Sequence, residues 1–163
     1  MSAAQHSAID LEMRVNGRPV SLRIEPHELL IDVLRERLGL IGTKKSCDMQ
    51  VCGACTVLVD GKMVSSCSYL AYEARQKNVV TIEGLADGEH LHPVQDAFIE
   101  HGGFQCGFCT SGMILSATAL LDENPKPTTE EIKHFMRGNV CRCTGYESII
   151  ESIHAAAEET PGK

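Results

Sequence analysis

Eight cysteines carry the chemistry of this sequence, and they fall into two groups of four. The first group is Cys47, Cys52, Cys55 and Cys67, and the second is Cys106, Cys109, Cys141 and Cys143. Thiolates are the ligands of zinc and of iron–sulfur clusters. The first ten residues show no export signal, and in a reducing cytoplasm, the expected location, cysteines bind metals more often than they form disulfides. The grouping therefore predicts two metal centres.

The first group has the spacing of a plant-type ferredoxin site. Four residues separate Cys47 from Cys52, two separate Cys52 from Cys55, and Cys67 follows after eleven more. In such a site four thiolates hold a 2Fe–2S cluster. A zinc site is the weaker alternative, because zinc sites usually pair two short Cys-x2-Cys units and this group has only one.

The second group is less decisive when it is considered alone. Two residues separate Cys106 from Cys109, one separates Cys141 from Cys143, and 31 residues lie between the pairs. Four thiolates at this spacing could hold zinc tetrahedrally or an iron–sulfur cluster, and spacing leaves both open. A second cluster would give the first a partner for electron exchange.

Apolar periodicity indicates the elements that must position the first group. Alternating residues predict a hairpin around the turn Asn16-Gly17, and helical spacing over 29–38 predicts a helix that stops at Gly39. Strands are expected at 9–15, 20–24, 56–59, 62–64 and 79–82. The pattern predicts a small mixed sheet that grasps one helix, in a domain of residues 1–84, with the cysteine loop before the third strand.

From residue 85 to residue 163 the periodicity is helical, which predicts a second domain. The apolar stripes and stop signals predict four helices, at about 93–101, 113–121, 128–138 and 146–157. Thr128 and Glu131 form a predicted capping box. Each cysteine pair precedes a helix, where the positive end of the helix dipole favours a thiolate.

The charge and hydropathy of the chain narrow the class of partner. The formal net charge is −7, which argues against nucleic acid as a partner. No stretch approaches the length of about 18 apolar residues that a membrane helix needs, so no membrane partner is expected.

Four stretches of the sequence resemble the small iron–sulfur subunit of the molybdenum hydroxylases, the xanthine oxidase family that includes aerobic carbon monoxide dehydrogenase. The stretches are Gly42-Thr-Lys-Lys-Ser-Cys47, Cys52-Gly-Ala-Cys55-Thr, Gln105-Cys106-Gly-Phe-Cys109-Thr and Gly138-Asn-Val-Cys141-Arg-Cys143-Thr-Gly-Tyr146. The resemblance extends over about residues 9–157. It implies an α+β chain, with an N-terminal β-grasp ferredoxin-like domain followed by an all-α four-helix domain with pseudo-twofold symmetry.

The resemblance also implies a function and partners. Electrons would pass from a molybdopterin-type molybdenum cofactor, through two 2Fe–2S clusters in this chain, to FAD. Meanwhile a small substrate would be hydroxylated with water-derived oxygen on another subunit. The expected partners are a large molybdenum-cofactor subunit and a medium FAD subunit, assembled as a dimer of heterotrimers.

The resemblance assigns roles to particular residues. The second cysteine group would lie nearest the molybdenum cofactor and the first would face the flavin. Gln105 matches a residue that hydrogen-bonds the pterin, and Cys143 matches the ligand whose sulfur approaches the pterin amino group. Two departures stand out: Ser111, where many members have proline, is expected to cap a helix, and the side chains of 49–51 are expected to shield the first cluster.

Two other functions remain open from the residues. The chain could be a free-standing two-cluster ferredoxin that serves several partners, or a zinc-stapled interaction module without redox activity. The sequence does not distinguish among purine, aldehyde, carbon monoxide and N-heteroaromatic substrates, because the reacting groups would lie on another chain.

Overall fold

The computed structural model describes residues 8–159, which contain five strands and five α-helices. The strands are β1 (Ile9–Val15), β2 (Arg18–Ile24), β3 (Thr56–Val59), β4 (Lys62–Ser65) and β5 (Asn78–Val80). The helices are α1 (Leu30–Asp32), α2 (Pro93–Glu100), α3 (Thr110–Glu123), α4 (Thr129–Met136) and α5 (Glu147–Glu159). The expected α+β class is confirmed.

The five strands form one mixed sheet in the order β2-β1-β5-β3-β4. β1 pairs antiparallel with β2 and parallel with β5, while β3 pairs antiparallel with both β4 and β5. The predicted hairpin of β1 and β2 is confirmed, and β3 and β4 form a second hairpin. Asn16 and Gly17 have φ values of 50° and 76°, and Asp60 and Gly61 have values of 49° and 78°, as a two-residue hairpin turn requires.

The first helical segment covers one face of this sheet. α1 is short and continues into a π-helical turn, Val33–Arg37, and the chain then turns at Gly39, where φ is +70°. Leu30, Val33 and Leu34 are fully buried in the same core as the inward-facing residues of the sheet. The predicted helix over 29–38 is therefore present, although its second half is wound more widely than an α-helix.

The last predicted strand is shorter than the apolar pattern indicated. β5 ends at Val80, and Ile82–Gly84 forms a single 3₁₀ turn. The reason lies in a side chain from the first hairpin. Asn16 accepts a 2.9 Å hydrogen bond from the Thr81 amide and donates one of 2.9 Å to the Thr81 hydroxyl, so Thr81 is drawn away from the strand ladder.

The four helices α2 to α5 share a second hydrophobic core. Its largest fully buried side chains are Phe98, Met113, Ile132, Ile149 and Ile153. α3 also packs against the sheet, where Leu115 contacts Leu58 of β3. None of the helices in residues 8–159 has the length and apolar character that a membrane span requires.

Polar caps fix where two of these helices begin. The capping box of α4 is confirmed, since Thr128 Oγ accepts from the Glu131 amide and the Glu131 carboxylate accepts from the Thr128 amide. α2 has a similar box, in which His92 Nδ1 accepts from the Val94 amide and Gln95 accepts from the His92 amide.

Tyr146 is not on the apolar face of the fourth of these helices, as its spacing had suggested. α5 begins at Glu147, and Tyr146 precedes it with φ at 74°, which is rare for a residue with a bulky side chain. Its phenol oxygen accepts a 2.9 Å hydrogen bond from the Cys141 amide. That bond accounts for the position of the ring, because Tyr146 closes the cysteine loop.

Candidate metal centres

The loop between the first helical segment and β3 presents the Cys47 sulfur to backbone donors. The amides of Val51 and Cys52 each donate to Cys47 Sγ at 3.4 Å. Together with a hydrogen bond from the Met49 amide, the largest contribution, they lower the pKa of the Cys47 thiol to about 6. The folded loop therefore stabilises a thiolate at Cys47.

The other half of the first group is buried instead. Cys55 and Cys67 are 2% and 3% exposed, and they pack against Ile31 of α1. Burial raises the pKa of the Cys55 thiol to about 12, and the Cys67 thiol beside it contributes in the same direction. The Ser66 hydroxyl donates a 2.7 Å hydrogen bond to the Cys55 carbonyl. This bond holds the residue after β4 against the residue before β3.

The second group is built around the start of α3. Cys109 is the N-cap residue of that helix, and burial together with a hydrogen bond to the Cys141 thiol raises its pKa to about 12. Although partial burial acts to raise the pKa of Cys141, donors from Thr144 and Cys143 lower it to about 7. The Thr144 hydroxyl lies 3.3 Å from Cys141 Sγ, and the amides of Cys143 and Thr144 donate to the same sulfur.

The remaining two thiols of the second group face each other at the surface. Cys143 Sγ lies 3.6 Å from Cys106 Sγ, and both residues are exposed. A cavity of about 200 Å³ brings all four sulfur-bearing residues of this group together with one residue of the first group. The cysteines that line it are Cys52, Cys106, Cys109, Cys141 and Cys143.

All eight cysteines are free thiols, and each group divides into two contacting pairs. The pairs are Cys47 with Cys52, Cys55 with Cys67, Cys109 with Cys141, and Cys106 with Cys143. Within residues 8–159 no three Cys, His, Asp or Glu side chains converge as ligands of a single metal ion. The paired arrangement suits a two-iron cluster, which takes two protein ligands at each iron.

Gln105 lies beside the exposed pair of the second group. Its side-chain Nε2 donates a 3.3 Å hydrogen bond to the carbonyl oxygen of Cys143, and Gln105 is exposed. The amide plane of Gln105 is therefore oriented by the same loop that carries Cys143. This brings together the two residues for which a pterin contact was predicted.

Two loops, called here the two cysteine loops, contact each other directly: residues 47–55 of the first group and residues 139–146 of the second. The Val140 amide donates a 2.9 Å hydrogen bond to the carbonyl of Cys52, and Val140 immediately precedes Cys141. Next to this bond, the Asn139 side chain lies 3.5 Å from the carbonyl oxygen of Gly53. A backbone hydrogen bond thus joins the two candidate centres, from the residue before Cys141 to Cys52 itself.

Two family models describe this chain. A "2Fe-2S iron-sulfur cluster binding domain" matches residues 13–86, and a "2Fe-2S binding domain" matches residues 81–154. Among curated proteins, the aldehyde oxidoreductase iron–sulfur-binding subunit PaoA of Escherichia coli K12 is 45% identical, over 91% of this chain and 72% of its own. The nicotine 6-hydroxylase small subunit of Paenarthrobacter nicotinovorans is 46% identical, over 89% of this chain and 87% of its own. The chain belongs to the iron–sulfur subunits of the molybdenum hydroxylases.

A solved structure shows that the fold of this iron–sulfur subunit is also similar to that of a known protein. A chain of quinoline 2-oxidoreductase from Pseudomonas putida 86 superposes with a TM-score of 0.90 at 46% identity, covering 93% of this chain and 94% of that one. The iron–sulfur subunit is therefore part of a molybdenum-containing oxidoreductase, and the substrate site lies on another subunit. Its sheet domain is ferredoxin-like.

One expectation about a residue near the cysteines of this iron–sulfur subunit is wrong, and a second stays a prediction. Ser111 does not cap α3, because Cys109 is the N-cap residue and the buried Ser111 hydroxyl has no hydrogen-bond partner among residues 8–159. Met49 and Val51 are 68% and 59% exposed. Because an exposed side chain can still cover a group beneath it, the shielding of the first cluster by the side chains of 49–51 stays a prediction.

Three contributors to the site of this iron–sulfur subunit were missed from the sequence. Thr144 and Tyr146 lie within the quoted motif, but nothing in their residue types indicated a bond to Cys141. The contact between Val140 and Cys52 joins segments far apart in the chain, and no local pattern encodes it. The sequence signal for this contact is the presence of glycines in the two segments, because glycine allows two backbones to come close.

Proposed function

We propose that this iron–sulfur subunit carries electrons from a molybdopterin-type molybdenum cofactor on a large partner subunit, through two 2Fe–2S clusters, to FAD on a medium partner subunit. When bound, each cluster takes up and releases a single electron. The observation that carries the proposal is the arrangement of eight free thiols as four contacting pairs, with a backbone hydrogen bond between the segment of Cys52 and the segment of Cys141.

The proposed ligands are the eight cysteines, four for each cluster. Cys47, Cys52, Cys55 and Cys67 would hold the first cluster, and Cys106, Cys109, Cys141 and Cys143 would hold the second. The backbone donors at Cys47 and Cys141 support this assignment, because they stabilise the ionised sulfur that iron binds. The burial of Cys55 and the partial burial of Cys109 support it as well, since both positions are less accessible to water than an exposed thiol.

We propose that the second group faces the molybdenum cofactor and the first group faces the flavin. The exposure of Cys106 and Cys143 supports this direction, because a partner's cofactor can approach these sulfurs from outside. Gln105, oriented by the Cys143 carbonyl, would then hydrogen-bond the pterin. The name of one relative, the nicotine 6-hydroxylase small subunit, supports hydroxylation of a small substrate. That the oxygen comes from water and is added on the partner subunit is part of the proposal.

The division into two domains is part of the proposal. Residues 1–84 would form the ferredoxin-like domain, and residues 85–163 a four-helix domain with pseudo-twofold symmetry. Separate hydrophobic cores under the sheet and between helices α2 to α5 support this division. We expect the complete enzyme to be a dimer of heterotrimers, in the cytoplasm.

Metal analysis of the purified complex tests the proposed function. We expect about four iron and about four sulfide ions per copy of this chain, two of each per cluster, and two distinct 2Fe–2S signals in electron paramagnetic resonance. A Cys55→Ser variant should lose one signal and a Cys109→Ser variant the other. Zinc in place of iron, or a single cluster in the unaltered chain, would refute the proposal.

Co-purification separates this proposal from a free-standing ferredoxin. A tag on this chain should retain the large and medium subunits through gel filtration. If the tagged chain is isolated alone, red-brown and with both clusters, the free-standing ferredoxin is the correct function. A colourless, zinc-containing chain would indicate an interaction module instead.

A further inference from the structure

Gly112 occupies a position where a helix would ordinarily favour alanine. It lies in the first turn of α3, and glycine inside a helix costs about 1 kcal/mol relative to alanine. The backbone atoms close to Gly112 explain why glycine is present there instead of alanine. A Cβ atom at Gly112 would overlap the carbonyl oxygen of Gly53 and would lie 3.2 Å from the Cα of Ala54.

The segment that Gly112 contacts is held from its other side as well. Gly53 has φ at +70°, and a Cβ atom there would lie 2.6 Å from both Asn139 Nδ2 and the carbonyl oxygen of Gly138. Asn139 is 7% exposed. The backbone between Cys52 and Cys55 is therefore enclosed between the start of α3 and the segment that leads to Cys141.

We propose that Gly112 is a positioning residue that sets the separation between the two cysteine loops. The obstacle to a side chain at this position is backbone rather than a rotatable side chain, so an added methyl group must displace the whole loop. That displacement acts on the 2.9 Å hydrogen bond from the Val140 amide to the Cys52 carbonyl, which joins the two loops next to Cys52 and Cys141.

This inference rests on the proposed function, because the separation of the loops matters for electron transfer only if both loops hold clusters. Asn139, like Gly112, helps to fix the position of the Gly53 backbone. Its side chain fills the space over Gly53, and its amide nitrogen lies 3.5 Å from the Gly53 carbonyl oxygen. Removing that side chain would loosen the loop without adding any atom.

A Gly112→Ala variant, prepared as the complete complex, tests the inference. The matched control is Gly138→Ala, because a Cβ atom at Gly138 has no neighbour within 4 Å in the described part of the chain and its φ is not positive. We expect Gly112→Ala to weaken the magnetic interaction between the two reduced clusters, which falls with the cube of their separation. Amide hydrogen exchange at Val140 should become about tenfold faster, as expected when a hydrogen bond between packed segments is lost. The control should match the unaltered protein in both measurements.

An unchanged magnetic interaction and unchanged Val140 exchange in Gly112→Ala, with both clusters loaded, would overturn the inference. If Gly112→Ala fails to load its clusters, Asn139→Ala decides. It should speed Val140 exchange and weaken the interaction, and no change in either would overturn the inference. A failure of the proposed function is recognised separately, because the unaltered chain would then lack two clusters, while Val140 exchange would still report on the loop contact.

Discussion

Cys47 and Cys141 receive hydrogen bonds from several donors, whereas the buried Cys55 and the partly buried Cys109 hold their protons. Each cysteine group therefore combines a thiol that ionises readily with one that ionises only when a metal displaces its proton. Residue types and spacing predicted the thiols as ligands. They could not predict this difference, because most of the donors are backbone amides whose direction depends on the fold of the loop.

Thr144 offers the clearest test at the scale of one residue. Replacing it with valine keeps the shape but removes the hydroxyl 3.3 Å from Cys141 Sγ. Hydrogen bonds to sulfur favour the more negative, reduced cluster, so Thr144→Val should lower the reduction potential of the second cluster only. Redox titration followed by electron paramagnetic resonance measures this.

A suitable control for that substitution is Thr129→Val. The Thr129 hydroxyl lies 3.0 Å from His154 Nε2 and, within the described residues, bonds no thiol, so both potentials should stay unchanged in this variant. Equal potentials in Thr144→Val and the unaltered protein would show that the hydroxyl does not act on the cluster.

At the scale of elements, the sequence predicted the features that depend only on neighbouring residues. The turn Asn16-Gly17 and the capping box of Thr128 and Glu131 are each encoded by neighbouring residues, and both are confirmed. The prediction was wrong where distant residues intervene. Asn16 withdraws Thr81 from the last strand, and Cys141 draws Tyr146 out of the helical pattern. Periodicity contains no information about such contacts.

The His92 cap of α2 makes the stability of the folded chain depend on pH. His92 accepts from the Val94 amide through Nδ1, so it must be neutral at that atom. Burial lowers the pKa of His92 and outweighs the opposing influence of Asp122, whereas an unfolded histidine has a pKa of about 6.5. Below that value the unfolded chain binds the proton more readily, so this contribution to the free energy of unfolding is present above about pH 6.5 and is lost as the pH falls.

A His92→Asn variant isolates that contribution. Asparagine also caps a helix but does not titrate in this range. Between pH 7 and pH 5 the unaltered chain should lose more stability than the variant, measured by urea unfolding at each pH. Parallel pH dependence in the two proteins would contradict the assignment to His92.

At the scale of the whole molecule, large apolar side chains are exposed at both cysteine loops. Met49 and Val51 lie in the loop of the first cysteine group. Phe108 and Val140, 47% and 49% exposed, lie beside cysteines of the second group, in two different segments. Under the proposed function these are the surfaces that partner subunits cover. We expect Phe108→Ser to weaken association with the large subunit at least tenfold, as loss of a central aromatic contact does.

Stability and a distant substitution serve as controls for Phe108→Ser. The free chain should unfold at nearly the same urea concentration, because Phe108 is already half exposed. Leu91→Ser changes a side chain that is 40% exposed and lies in neither cysteine loop, and it should leave the association intact. Full association of Phe108→Ser would remove this residue from the interface.

The pairing of Cys106 with Cys143 joins positions 37 residues apart, so a metal group bound there is also a removable cross-link. In the chain-entropy model, closing a loop of this length restricts the unfolded ensemble by about 4 kcal/mol. Damage that strips iron from the second site would therefore loosen the helices as well as interrupt electron flow. Because proteases act on the opened form, we expect a chain that has lost this cross-link to be degraded faster than its intact counterpart.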